Sequence, residues 1–228
     1  MQRRIVRKLD LEMLLSQVAP HPTPKPSLEQ YTIPADVAAT MLHIAAYMHN
    51  DIVGKTVLDL GCGTGRLALG AAFLGAKQVL GVDVDRTAIN VASENSVRTG
   101  LRDKVQWVAA DIDAVHRKFD TVLQNPPFGV QRRKADRKFL EKALETSKVV
   151  YSLHKSLQKD KAFINKLKGS GNPFVPVFPS PFLKNYVEER DGKIRCVYAM
   201  LMVIPHMFHF HTKRKHEFVV DLYVIESE

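Results

Sequence analysis

The residues with chemistry in them begin at Asp59-Leu60-Gly61-Cys62-Gly63-Thr64-Gly65, where one apolar run stops and another starts. Glycines here let the backbone turn sharply and approach a ligand closely. A dinucleotide loop would hold pyrophosphate on a helix N-terminus. Asp59 instead sets a carboxylate beside this loop, which suits a ligand with an ammonium group better than one with phosphates. Gly61, Gly63 and Gly65 also miss the G-x-G-x-x-G spacing of nicotinamide dehydrogenases, since Arg66 to Ala68 supply no third glycine at the right step. Asp83-Val84 closes the next apolar run, where an acidic side chain can hold two ribose hydroxyls. Asp111-Ile112 follows the third run and can bracket an adenine, with an acceptor for its amino group and an apolar face against its ring. Together these groups describe a site for S-adenosylmethionine. The bland alternative is a glycine turn whose neighbouring carboxylates only cap helices.

Asn125-Pro126-Pro127-Phe128 stands directly after a fourth apolar run. An aromatic amine is a poor nucleophile because its lone pair is delocalised into the ring. The Asn125 side-chain oxygen and the Pro126 carbonyl can accept from its two hydrogens and favour the pyramidal nitrogen that attacks. The prolines fix the backbone, and Phe128 can stack on an extruded base. A structural turn with a buried phenylalanine is the alternative.

The elements that must position these groups follow from periodicity. Thr56–Leu60, Val79–Asp83, Val105–Val108, Phe119–Leu123 and Val149–Leu153 read as strands, and Leu67–Leu74, Arg86–Arg98 and Ala135–Ser147 as helices between them. That alternation predicts an α/β fold with a doubly wound parallel sheet. A helix from Pro34 to about Asn50 places Val37, Met41, Leu42 and Ala45 on one face. Ile5, Leu9, Met13 and Leu14 suggest a short amphipathic helix before it, and Pro20, Pro22, Pro24 and Pro26 an extended linker. We therefore divide the chain into 1–27, an N-terminal helix and Pro-rich linker, and 28–228, the catalytic domain. Residues 157–168 read as helical, and 169–195, rich in Gly and Pro, as a loop insertion. Val197–Ile204 and Phe218–Ile225 read as an antiparallel pair at the sheet's edge.

The composition narrows the class of partner. The chain has 228 residues and 33 Lys+Arg against 24 Asp+Glu, a formal charge of +9, which favours polyanions. No apolar run reaches the roughly 18 residues of a membrane span, and the start of the chain does not read as a signal peptide. Two cysteines, Cys62 and Cys196, form neither a disulfide framework nor a zinc cluster, so the expected setting is cytoplasmic. Arg132, Arg133, Lys134, Arg137 and Lys138 follow the Asn-Pro-Pro-Phe loop, and Lys213, Arg214 and Lys215 join the last two strands between His209, His211 and His216. Both groups can reach phosphates at the rim of a site beyond the strand ends. A solvated charged face is the ordinary fate of such runs. The histidines lack cysteine or carboxylate company, so no metal is expected. Arg3, Arg4, Arg7 and Lys8 can touch RNA or simply solvate a helix.

Asp59–Gly65 with Asn125–Phe128 resembles the class I methyltransferases that modify planar amino groups. Leu28-Glu29-Gln30-Tyr31-Thr32, Asn125-Pro126-Pro127-Phe128-Gly129, Val150-Tyr151-Ser152-Leu153-His154-Lys155 and Phe210-His211 with Val220-Asp221-Leu222 are similar to the family, with archaeal members, that makes N6-methyladenosine in small-subunit rRNA. The resemblance covers roughly residues 5–165 and 205–226. It implies a Rossmann-like, mostly parallel sheet of seven strands with an antiparallel C-terminal edge. It also implies a segment at Gln30, Tyr31 and Thr32 folded over the cofactor, and a small zinc-containing activator subunit covering an apolar sheet edge. Two features depart from the family: the longer 169–195 connection, and the basic Val130-Gln131-Arg132-Arg133-Lys134 after Gly129. Three functions are weighed: methylation of adenine N6 in RNA, methylation of a protein glutamine amide, and non-catalytic RNA binding. Phe128 and the basic loops favour nucleic acid, and intact Asp59, Asp83 and Asn125 favour catalysis. A DNA adenine enzyme would need a target-recognition domain for which this chain looks too small.

Overall fold

The computed structural model describes residues 5–30, 32–128, 135–158, 160–169, 171–205 and 215–227. Strands β1 (Thr56–Leu60), β2 (Gln78–Asp83), β3 (Val105–Ala109), β4 (Phe119–Gln124) and β5 (Ser147–Lys155) pair in parallel in the order 3-2-1-4-5. The central strands are buried on both faces, so they read as unbroken apolar runs, as parallel strands covered by helices do. Helices α3 (Arg66–Phe73), α4 (Arg86–Arg98) and α5 (Ala135–Thr146) follow β1, β2 and β4.

The rest of the sheet corrects two expectations. Among the described residues it has eight strands rather than seven, in the order β3-β2-β1-β4-β5-β8-β7-β6. β7 (Gly192–Pro205) and β8 (Lys215–Ser227) form the expected antiparallel pair, but β8 is inserted between β5 and β7, antiparallel to both. β7 therefore points the same way as β1–β5. The outermost strand is β6, only Val175–Pro176, with proline where an edge tolerates it. Residues 169–195, expected as a loop, contain β6 and the helix α7 (Pro181–Glu188). Ser180 caps α7 by accepting from the Leu183 N–H, and Pro181 occupies its first turn. The helix-start signal lies inside a proline cluster, which masks it.

Two cores flank the sheet. On one side α1 (Lys8–Ser16), α2 (Ala35–His43, continued by a π turn over Ile44–Met48) and α3 pack on Val57, Leu123 and Tyr151. On the other, α5 and α7 bring Leu140, Leu144 and Val187 against Leu58, Val122 and Val150. α2 buries Val37, Met41, Leu42 and Ala45, as its spacing predicts. α1 buries Leu11 and Leu15, while Ile5, Leu9 and Met13 of the expected stripe are exposed. Gly70 of α3 explains the choice: a Cβ there would stand 2.3 Å from Leu42 and 3.3 Å from Leu15, so only glycine lets α1 and α2 close on α3. The remaining helix, α6 (Lys161–Gly169), buries Leu167. No described helix is long and apolar enough to cross a membrane.

Candidate active site

β1, β2 and β4 lead into a cavity of about 840 Å³ beyond their C-terminal ends. In a doubly wound sheet that is where the strand order reverses and ligands bind. The glycine turn forms one wall. Gly61 and Gly65 have φ of 73° and 91°, and a Cβ would meet Phe139 at 2.6 Å and Trp107 at 2.5 Å respectively. Glycine is thus demanded by backbone conformation and by crowding at once.

Asp59 is 1% exposed and accepts from the Ala68 N–H at 2.8 Å. Burial, with the charge of Asp83 adding to it, pushes its carboxyl up to about 7. Asp83 accepts from the Gly63 N–H at 2.8 Å and the Asp85 N–H at 2.9 Å, and burial raises its pKa despite those bonds. Two carboxylates facing one cavity with a shared cost of ionisation favour a ligand bearing positive charge and hydroxyl donors. Cys62 adds a free thiol, pushed well up by burial and by the same aspartates.

The opposite wall is the segment before α2, which runs back across the turn as a strap. The Arg66 guanidinium donates to the carbonyls of Ile33 and, at 2.9 Å, Val18. Asn95 pairs with both backbone groups of Ala19, at 2.9 and 3.1 Å, and donates to the Thr64 carbonyl at 3.0 Å. The strap's third anchor is Asp85, which accepts from Gln30 Nε2 at 2.9 Å and Lys25 Nζ at 3.1 Å and caps α4 through the Thr87 N–H. Burial works against its ionisation, but the Gln30 and Lys25 hydrogen bonds outweigh it and hold the carboxyl well below its usual range. The His21 ring lies 3.3 Å from the same carboxylate without hydrogen-bond geometry.

Of the expected cofactor residues, Gln30, Thr32, Asp59, Gly61, Cys62, Gly63, Thr64, Asp83, Val84, Asp111 and Ile112 all line this one cavity. Gly65 does not, serving instead as the turn before α3, and Tyr31 lies outside the described residues. Asp111 is exposed and holds Lys138 at 3.0 Å, while Ile112 is buried beside it.

Asn125 and Pro127 line the same cavity. Asn125 Oδ1 is buried and has no hydrogen-bond partner among the described residues. A buried acceptor without a donor costs about 1–3 kcal/mol, so its place at a cavity wall calls for a ligand N–H. Pro126 is buried, and Phe128 stands edge-on to Phe218 at 5.9 Å rather than in the cavity wall. Behind the loop lies a polar row that sequence reasoning missed. Gln124 Nε2 donates to Ser152 Oγ at 2.9 Å, and Ser152 Oγ meets His154 Nε2 at 2.8 Å. His154 is fully buried, and that burial lowers its pKa to about 4, so it is neutral. Asp85, Phe139 and Lys138 were also missed as wall residues; Asp85 reads as an ordinary helix cap, which it also is.

The basic residues divide differently. Arg132, Arg133, Lys134, Lys213 and Arg214 lie outside the described residues, as does the side chain of Lys215, which begins β8. Arg137 stacks its guanidinium 4.6 Å above the Phe182 ring of α7. Among the described residues no group of three or more His, Cys, Asp or Glu is placed to hold a metal.

Comparison with known proteins gives this geometry its relatives. The profile of the family described as ribosomal protein L11 methyltransferase (PrmA) matches residues 36–126. The rRNA N(6)-adenosine-methyltransferase Mettl5 of Drosophila melanogaster is 41% identical over 163 residues, 68% of this chain and 75% of that one. A protein of Methanocaldococcus jannaschii without assigned function is 38% identical over 98% of this chain and 95% of its own. The crystal structure of a candidate RNA methyltransferase from Pyrococcus horikoshii superposes with a TM-score of 0.80 at 34% identity, covering 98% of both chains.

Proposed function

The chain belongs to the family of rRNA N6-adenosine methyltransferases, and from that premise we propose that it methylates the N6 amino group of an adenine in small-subunit rRNA at Asn125-Pro126-Pro127-Phe128. The observation that carries the assignment of the site is Asn125, a lining residue of the cavity whose Oδ1 is a buried acceptor with no partner among the described residues.

The residues present fit S-adenosylmethionine, which when bound would supply a sulfonium methyl as electrophile, the sulfur keeping the bonding pair and leaving as the thioether S-adenosylhomocysteine. Asp59 and the glycine turn would hold its amino-acid end, Asp83 its ribose hydroxyls, and Asp111 with Ile112 its adenine. The strap residues Gln30 and Thr32, held through Asp85, would shut the donor from water. The chain's own catalytic work is positioning and polarisation. Asn125 Oδ1 and the Pro126 carbonyl would each accept one N6 hydrogen, turning the lone pair out of the ring plane toward the donor. As the nitrogen takes the methyl it becomes cationic, and both hydrogen bonds are stronger in that state than in the ground state. It then releases one proton to solvent. Asn125 is neutral, so it stabilises the charge without being consumed. The RNA would enter over Arg132, Arg133, Lys134, Arg137, Lys213, Arg214 and Lys215, with Phe128 against the base.

The match to the L11 methyltransferase profile stops at residue 126, the cofactor half and the first catalytic residues, and so lends no support to a protein substrate. The proposal includes a cytoplasmic setting and a zinc-containing activator subunit. The subunit's best seat is the β3 edge, which has no described strand beyond it and exposes Val108. Co-purification of a zinc protein that is lost on Val108→Asp tests that part. The reaction is tested by transfer of labelled methyl to protein-free small-subunit rRNA, followed by nucleoside analysis. Labelled N6-methyladenosine that disappears in Asn125→Ala is the expected result. Label on another nucleoside, or only on protein, would overturn the reading.

A further inference from the structure

Residues 173–182, Pro-Phe-Val-Pro-Val-Phe-Pro-Ser-Pro-Phe, are unlike the rest of the surface. Phe178 is 96% exposed and Phe182 48%, whereas the other described phenylalanines are buried or half-buried. Phe178 is not on a loose tip. The Val177 N–H before it donates to the Val197 carbonyl at 3.0 Å, and the Ser180 N–H after it donates to the Tyr223 hydroxyl at 2.9 Å. Pro176, Pro179 and Pro181 fix φ on both sides. The chain thus holds an aromatic ring in solvent with little freedom left to lose, the arrangement that makes binding inexpensive.

The location matters as much as the exposure. Arg137 lies over one face of Phe182, two residues after Ala135 and next to Lys138, both of which line the active-site cavity. Tyr223, which anchors Ser180, packs edge-on against His154 at 5.3 Å, in the polar row that reaches Gln124 beside Asn125. Phe182 therefore lies beside the first turn of α5, which lines the cavity, and Phe178 stands between anchors on β7 and β8. The charges of α7 are largely paired among themselves and with α5. Lys184 pairs with Glu188 one turn on at 4.0 Å, and Arg190 at the far end stacks on Tyr186 and binds Glu141, so the cation beside Phe182 is Arg137.

We propose that Phe178 and Phe182, with Arg137 stacked on the latter, form a stacking platform for unpaired nucleotides of the substrate RNA next to the target adenine. Aromatic faces with adjacent cations are what single-stranded RNA uses, since every base offers a π face and every linkage a charge. On this reading the 169–195 segment holds the strand after the adenine has left the stack. The inference rests on the RNA reading of the active site, so its test must fail separately from that reading.

Binding of a fluorescein-labelled 12-nucleotide oligoadenylate, and of the same strand annealed to oligouridylate, can be measured with the full chain. KM and kcat for protein-free small-subunit rRNA complete the set. Phe178→Ala should weaken binding of the single strand about tenfold and raise KM similarly, with kcat and S-adenosylmethionine binding unchanged. Phe178→Trp should restore affinity, which a merely structural role would not predict. The duplex should bind wild type and variant alike. Phe178 is so exposed that its variants will fold; Phe182→Ala is the second probe. Unchanged single-strand affinity and KM in both alanine variants overturn the platform and assign the patch to a protein partner. A wild-type enzyme that makes no N6-methyladenosine overturns the reading beneath it instead.

Discussion

Replacing Asn125 by alanine should separate stability from activity, because the structure gives its side-chain oxygen no donor among the described residues. In most buried positions an asparagine is held by several hydrogen bonds, and truncation costs whatever those bonds were worth. Here the acceptor is already desolvated, at a cost of about 1–3 kcal/mol, which the alanine variant recovers. Against this stands the loss of packing around a small, half-buried side chain, of about 1 kcal/mol. The two offset, so Asn125→Ala should unfold in urea within about 1 kcal/mol of wild type, or slightly above it. The chemical step should fall by about 10²–10³, the loss seen when one positioned polar partner of a developing charge is removed. Urea denaturation beside single-turnover methyl transfer at saturating S-adenosylmethionine measures both. A variant destabilised by more than about 2 kcal/mol would mean that Asn125 holds the loop rather than the substrate. A stable variant with near-normal turnover would remove it from catalysis altogether.

Four further outcomes follow from the same geometry. Asp85→Ala removes the α4 cap, worth about 1 kcal/mol, and takes the acceptor from half-buried Gln30, about 1 kcal/mol more, while exposed Lys25 loses little; thermal stability and calorimetric S-adenosylmethionine binding should both fall. Asp59, with its folded pKa raised to about 7, keeps a proton that the unfolded chain surrenders near 4. Between those values the native state binds more protons, so stability falls as pH rises; urea midpoints of Asp59→Asn across that window should lack this part of the slope. Gly65→Ala combines left-handed strain of about 1–2 kcal/mol with overpacking on Trp107 of about 1–3 kcal/mol, and an unchanged melting temperature would contradict the crowding. Ser152→Ala leaves Gln124 Nε2 without its acceptor and should cost about 1–3 kcal/mol, read as a lower urea midpoint, with Ser152→Thr intermediate.

Much of the site is legible in the sequence because parallel strands carry their function at one end. Once Thr56–Leu60 and Val79–Asp83 read as neighbouring strands, Asp59 and Asp83 have to share a cavity, and Asn125 at the end of β4 has to join them. What stays hidden depends on pairing between distant residues. The place of β8 between β5 and β7 is set by a hydrogen-bond ladder that no local pattern announces, and β6, with a proline in two residues, has no strand signature at all. α7 is lost in the prolines that introduce it. α1 carries apolar residues on two faces, and only the gap over Gly70 decides that Leu11 and Leu15 turn inward. Asp85 looks like a helix cap because it is one; its second role emerges only when Gln30 and Lys25 arrive from the strap. Ser152 and His154 stand out in the sequence only as part of a run resembling the family; their link to Gln124 needs β4 and β5 side by side.

The grip on β8 has a consequence for how this protein can change over generations. Hairpins usually owe their alignment to the turn that joins them. β8 instead meets β5 along Val149–Lys155 as well as β7 along Gly192–Pro205, so its alignment survives without help from residues 206–214. Lengthening a connection between fixed ends is thermodynamically mild, about 0.6 kcal/mol for each doubling. Changes at 206–214 can therefore be selected for their effect on RNA contact, the role proposed for Lys213 and Arg214, without resetting the sheet. Register and RNA contact are thus separable under selection, the first kept by β5 and β7 and the second by the partner the connection meets.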